Sequence, residues 1–219
     1  MLGPSIVIAS ETWEREKQRL DNILNSGQYK TVSYYRKNRS PGGGCAIIYA
    51  ENKFRLTDKD IHVPDNLEAV WSVFTPVSNE NQRFKVKRIA VGSIYVSPRS
   101  KFKTEVIERI IETIHILRAK YNNEISFCIG GDFNRVDTSE ILDCYGGLKQ
   151  VISVTKRNQA TLEILLTDLH SLYHPPTTLP PLQVDVDKNG KDSDHNIVVF
   201  APKSNIQFKE QITKRTIKK

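Results

Sequence analysis

The chain is short of several features, and each absence narrows what it can be. No window of its 219 residues approaches the run of roughly 20 apolar residues that a membrane-spanning helix needs. Its first residues, Met1-Leu2-Gly3-Pro4, lack the basic segment and small-residue cleavage site of a secretory signal, so an intracellular protein is expected. Cysteine is scarce: Cys45, Cys128 and Cys144 are widely spaced and form no C-x-x-C pair. That spacing indicates neither a zinc ribbon nor a disulfide framework, and reduced buried thiols are expected. No internal repeat is visible.

What is present suits a globular protein. An apolar content of 38% supports a core, and 26% charged residues is ordinary. The length fits one large domain or two small ones. The net charge of +7, with a pI near 9.2, favours a polyanionic partner, of which nucleic acid is the commonest. Part of that charge sits in Lys203, Lys209, Lys214, Arg215, Lys218 and Lys219. The expected organisation is a domain over 1–201 and a solvated basic tail or linker over 202–219.

Apolar periodicity predicts a short strand over Ile6–Ala9 and an amphipathic helix over Glu14–Leu24 that ends near Gly27. Strands are predicted over Tyr29–Tyr35 and, after the Gly42-Gly43-Gly44 turn, over Cys45–Tyr49. Leu67–Phe74 and Ile89–Val96 follow, separated by a polar hairpin loop over Pro76–Arg83. Phe102–Tyr121 is the clearest helix, with Val106, Ile110, Ile111, Ile114, Ile116 and Leu117 mostly on one broad face. Ile125–Ile129 is a strand, and Thr138–Cys144 one or two helical turns. Thr161–Thr167 and His195–Phe200 are late strands, and His174–Lys191 is a loop rich in Pro, Asp and Lys. Trp13 and Trp71 are expected in the core. His170 and His174 have the spacing of a helical ligand pair, but Pro175-Pro176 follows and strand or loop is equally compatible. Strands outnumber helices, which points to an α/β sandwich of two face-to-face sheets with helices outside.

Three polar clusters adjoin apolar, β-branched runs. Glu11 follows Ile6-Val7-Ile8, Asp132 and Asn134 follow Ile125–Ile129, and Ser193-Asp194-His195 precedes Ile197–Phe200. Acidic and amide groups at the tips of buried strands can build a hard-metal site on a rigid frame. By the two-residue strand period Asp132 and Asn134 share one side, where they could hold a water, a metal or a phosphate oxygen. Each cluster also has a plainer reading. Asp132 and Asn134 suit a capped turn, Ser193-Asp194-His195 suits an exposed strand end, and Glu11 suits a helix start.

The order Glu11-Thr12, Tyr95-x-x-Pro98, Gly131-Asp132-Phe133-Asn134 and Ser193-Asp194-His195 resembles the endonuclease/exonuclease/phosphatase superfamily, the fold of DNase I and the apurinic/apyrimidinic endonucleases. A finer resemblance is to the endonuclease domain of non-LTR (LINE-type) retrotransposon proteins. Gly42 to Ile47, Tyr95 to Pro98, Gly147 to Gln150, Thr155 to Thr167 and the Pro-rich loop before Ser193 carry it. The resemblance covers nearly the whole chain. It implies a DNase I-like four-layer α/β sandwich, two packed mainly antiparallel sheets flanked by helices. It also implies an endonuclease, dependent on Mg²⁺ or Mn²⁺, that nicks DNA to a 3′-hydroxyl and a 5′-phosphate. In a retrotransposon polyprotein that 3′-hydroxyl primes reverse transcription, so DNA and a C-terminal reverse transcriptase in the same polyprotein are the implied partners. The site of action would be nuclear.

Carried over residue by residue, the resemblance makes Glu11 the metal ligand, with Asp194 beside the metal. Tyr95 contacts the scissile phosphate, Asp132 orients or deprotonates the attacking water, Asn134 positions that water, and His195 hydrogen-bonds a phosphate oxygen. Glu163 stands where the family has an Asp behind that His, and its extra methylene loosens the geometry. Thr155 matches a threonine that contacts DNA, and Arg157 and Ser193 join it as DNA-binding candidates. Family members begin with a strand carrying an Asn and then a helix, whereas this chain starts at the next strand. The resemblance therefore implies an N-terminally incomplete domain with weakened activity, and Ile6–Ala9 is expected to border a gap in its sheet. Two rivals remain: a catalytically impaired remnant that binds DNA weakly by charge, and a superfamily phosphatase acting on a non-nucleic substrate.

Overall fold

The computed structural model describes residues 4–13, 20, 27–36, 42–59, 61–77, 86–152, 162–180 and 197–203. Strands β1 (Ile6–Ser10), β2 (Tyr29–Tyr34) and β3 (Cys45–Ala50) form an antiparallel sheet in the order β1-β3-β2. Strands β4 (Phe54–Asp58), β5 (Glu68–Pro76), β6 (Ile89–Tyr95), β7 (Ser126–Asp132), β8 (Lys149–Gln150) and β9 (Glu163–Thr167) form a second sheet in the order β4-β5-β6-β7-β9-β8. Among the described residues only β6 and β7 pair in parallel. Parallel neighbours need a long crossover, and helix α1 (Lys103–Lys120) supplies it. A shorter helix, α2 (Ser139–Cys144), follows β7.

Alternation along the six-stranded sheet gives it two apolar faces, and each builds a core. One face packs against α1 through Trp71, Val73, Ile94, Phe127 and Ile129, which meet Ile110, Ile114 and Leu117 of the helix. Trp71 is 1% exposed, and its ring lies 3.0 Å from where a Cβ on Gly92 would be, so a side chain there would have to displace it. Thr113 is tolerated on the buried stripe because its hydroxyl donates to the Arg109 carbonyl at 2.8 Å. Ile116 leaves that face and is 49% exposed. The other face packs against the three-stranded sheet through Val70, Phe74, Val91 and Tyr95, which meet Cys45, Ile47 and Tyr49. The sandwich of two mainly antiparallel sheets is therefore present, with helices over the outer face of the larger one. The predicted helix over Glu14–Leu24 lies outside the described residues except for Leu20, which is helical.

Several expectations change. His174–Lys191 is not wholly loop: β10 (Thr177–Leu179) pairs antiparallel with β11 (Ile197–Val199). That ribbon is not buried; Ile197 is 37% and Val199 36% exposed, so the apolar run after His195 does not mark a core strand. A two-stranded ribbon beside the main sheets has too few neighbours to cover both of its faces. His170 lies in a 3-10 turn (His170–Leu172), and His174 follows an isolated bridge at Tyr173, so the two do not share a helix face. Strand β1 pairs only with β3 and stands at the edge of its sheet among the described residues. No helix among the described residues is long and apolar enough to cross a membrane.

Candidate active site

Four side chains stand in one row at one end of the six-stranded sheet. The register pairs Glu68 with Tyr95, Tyr95 with Asp132, and Asp132 with Glu163. Residues directly paired across strands share a face. This face is the one turned to the three-stranded sheet, because Tyr95 and Val91 of β6 lie in the inter-sheet core. Strand β1 brings Glu11 to the same end. Ser93 donates its hydroxyl to the Ala9 carbonyl at 2.8 Å and so ties β6 to β1 just before the chain leaves the sheet. Beyond that tie, the Glu11 carboxylate bears on the Tyr95 hydroxyl.

Tyr95 sits among negative charges. Burial pushes its phenol far above the usual range, and the nearby carboxylates of Glu11, Asp132 and Glu68 act in the same direction. Tyr95 is thus a protonated donor, suited to an anionic oxygen and not to proton abstraction. Asp132 is 3% exposed.

The strand ends at Asp132, and the next residues turn sharply. Asn134 and Arg135 take φ of +43° and +65°. The Asn134 backbone N–H donates to Asp132 Oδ1 at 3.0 Å, and the Asn134 carboxamide donates to the Val96 carbonyl at 2.9 Å. The strand, and with it the two-residue alternation, ends at Asp132, and Asn134 is placed by this turn. The turn-capping reading describes this local geometry, and the Asp132 charge bears on Tyr95 as well. Gly131, at φ +140°, permits the turn: a Cβ there would overlap the Ile94 carbonyl.

Glu68 and its partner Arg36 were not among the residues singled out in the sequence. Arg36 Nη2 contacts Glu68 Oε1 at 2.5 Å, and Glu68 Oε2 accepts the Gly44 backbone N–H at 2.8 Å. The guanidinium carbon lies 5.9 Å from the Tyr95 ring centroid. A side chain on Gly43 would overlap Glu68 Oε2, which accounts for glycine in this turn. The turn in turn holds the segment after β1, since the Thr12 and Trp13 N–H groups donate to the Gly44 and Gly43 carbonyls at 3.4 and 3.0 Å. Glu11 and Trp13 both adopt positive φ, +53° and +52°. Strained backbone of this kind is retained where surrounding structure over-determines it, commonly at functional sites. Trp13 is 53% exposed, contrary to its expected burial, because the turn carries it out of the β1 plane.

The structure thus brings Glu11, Tyr95, Asp132 and Glu163 to one end, with Asn134 in the adjoining turn. Ser193, Asp194, His195, Thr155 and Arg157 lie outside the described residues. No group of three His, Cys, Asp or Glu among the described residues could hold a metal ion. The donor chemistry nonetheless suits a hard cation. Carboxylate oxygens are hard donors, and Glu11 and Asp132 both place negative charge beside one phenol.

No protein-family model matches the chain, and no curated protein matches it. Solved structures do resemble it. One is a 3′ phosphatase from Neisseria, NExo, bound to a product DNA hairpin (TM-score 0.57, 13% identity, covering 90% of this chain and 88% of that one). A second is TDP2 from Caenorhabditis elegans (TM-score 0.57, 14% identity, 89% and 63% covered). A third is ANGEL2, a 2′,3′-cyclic phosphatase, in complex with adenosine-2′,3′-vanadate (TM-score 0.55, 14% identity, 82% and 73% covered). From this likeness and the sandwich described above, the chain has the DNase I-like endonuclease/exonuclease/phosphatase fold.

Proposed function

We propose that the chain is a divalent-metal-dependent phosphodiesterase that nicks DNA and leaves a 3′-hydroxyl, serving as the target-site nickase of a LINE-type retrotransposon polyprotein. The observation that carries this reading is the meeting of Glu11, Tyr95 and Asp132, from three separate segments, at one end of the sandwich. Glu11, with Asp194 beside it, would hold Mg²⁺ or Mn²⁺. When bound, that ion supplies charge neutralisation at the phosphate and at the leaving oxygen.

The remaining chemistry belongs to the chain. Tyr95 keeps its proton and offers it to a non-bridging phosphate oxygen. Asp132, its Oδ1 fixed by the Asn134 N–H, orients the attacking water. His195, with Glu163 behind it, donates to a phosphate oxygen, and Thr155, Arg157 and Ser193 contact the DNA. The net charge of +7 supports a polyanionic substrate, and Gly42 to Ile47 with Tyr95 to Pro98 support the retrotransposon assignment.

The test is conversion of supercoiled plasmid to nicked circles with Mg²⁺, and its loss with chelator. A second reading is favoured by the likeness to two phosphatases of nucleotide ends: the same groups would remove a terminal phosphate. Release of phosphate from a 3′-phosphorylated oligonucleotide, without plasmid nicking, would select it.

A further inference from the structure

Large aromatic side chains are rarely left half in water. The chain has two tryptophans, and they contrast: Trp71 is 1% exposed and Trp13 53% exposed. Trp13 is nevertheless held in place. Its backbone is fixed at φ +52°, its N–H donates to the Gly43 carbonyl at 3.0 Å, and its indole lies 3.9 Å from where a Cβ on Gly42 would be. Beneath it the turn is braced by the Glu68 carboxylate and, through that, by Arg36. Two residues earlier is Glu11, whose carboxylate bears on the Tyr95 phenol. A flat, apolar, π-bearing face is therefore carried on a strained and anchored backbone at the margin of the candidate phosphate site. A face of this kind, turned outward by the backbone, matches one chemistry well, that of a nucleobase.

We infer that Trp13 is a stacking platform for one unpaired or everted base next to the phosphodiester held at Glu11, Tyr95 and Asp132. This rests on the phosphodiesterase reading above. The basic charge attracts any DNA backbone and is indifferent to bases. Trp13 adds a term that requires a base but tolerates all four, since each has a π face. The enzyme is then selective for DNA that is single-stranded or distorted beside the nick, because a base paired in an intact duplex must first leave its stack.

The two tryptophans supply the assay. In the full chain without divalent metal, Trp71 gives a constant fluorescence background and Trp13 reports the ligand. Titration with a short oligothymidylate and with an abasic phosphodiester of the same length should show the base-bearing ligand binding about tenfold more tightly, in line with stacking at one aromatic. Trp13→Ala should abolish that difference and leave affinity for the abasic ligand unchanged. Trp13→Phe should keep most of it. Equal binding of the two ligands by the wild type, binding of neither, or a difference that survives in Trp13→Ala overturns the inference. Failure of the wild type to nick plasmid is a separate result. It removes the phosphodiesterase reading and leaves the base-dependent binding to stand or fall on these titrations.

Discussion

Replacing Glu68 by alanine tests whether the Arg36–Glu68 pair holds the site together. In the pair the side chains are 20% and 15% exposed, so most of the charge is out of water. Removing one member of such a pair leaves the other charge buried and uncompensated, which costs about 3–5 kcal/mol in a dry interior. Residual solvent access at both groups puts the value here near the lower end. The Gly44 N–H loses its acceptor as well, worth about 1 kcal/mol. A total of about 4 kcal/mol corresponds to a drop in melting temperature of roughly 8–16 °C for a chain of this size. Glu68→Gln keeps an oxygen for Gly44 and a neutral acceptor for Arg36, so it should lose about half as much. Because the turn carries Thr12 and Trp13, both variants should also lower plasmid nicking below the temperature at which they melt. Circular dichroism melts of the three proteins, with nicking assayed well below each transition, decide the matter. If Glu68→Ala melts within about 2 °C of the wild type, less than 1 kcal/mol is involved and the bracing argument is wrong.

Other parts of the account are exposed to simpler tests. Gly131→Ala must push β6 and β7 apart at the Ile94 carbonyl, so it should cost about 3 kcal/mol or more and melt far earlier than the wild type in a thermal scan. Thiol chemistry needs the thiolate. Burial pushes the Cys128 thiol up to about 12, with the Asp168 charge adding to it, and burial pushes Cys45 higher still. Burial raises the Cys144 thiol too, but less, so at pH 8 a thiol reagent should modify Cys144 first in the folded protein and reach Cys45 and Cys128 only on unfolding, and mass spectrometry of the modified peptides will show which. DNA affinity should fall linearly on a log–log plot against salt, because phosphate contacts release counterions; a flat plot in a filter-binding assay would count against a DNA substrate.

The frame of the molecule was legible in the sequence where apolar alternation is strong. Leu67–Phe74, Ile89–Val96 and Ile125–Ile129 read as strands because both of their faces meet apolar partners, and Cys45–Tyr49 because it is a short apolar run after a glycine turn. The helix over Phe102–Tyr121 was legible by its period. Other elements were not: β8 and β10 have too few residues for a period to show, and β4 carries only Phe54 and Leu56 as apolar positions. At the site, Glu11, Tyr95 and Asp132 stood out by their motifs. Glu68 and Arg36 did not, being 32 residues apart and joined only when the two sheets pack. The two-residue period from the β5 run would have placed Glu68 on the face of Val70 and Phe74, which was the available signal. The exposure of Trp13 was not legible, and the strand period does not govern Asn134, for one reason. Both lie where the backbone turns to positive φ, and no apolar pattern reports that.

The most direct measurement is plasmid nicking by the wild type and by Asp132→Ala, with and without Mg²⁺. Extension of the nick by a polymerase that needs a free 3′-hydroxyl reads the chemistry of the end. The account predicts Mg²⁺-dependent nicks that prime extension in the wild type, and at least a hundredfold loss in Asp132→Ala with unchanged circular dichroism. Nicking by Asp132→Ala at the wild-type rate, or nicks that end in a 3′-phosphate, would contradict it.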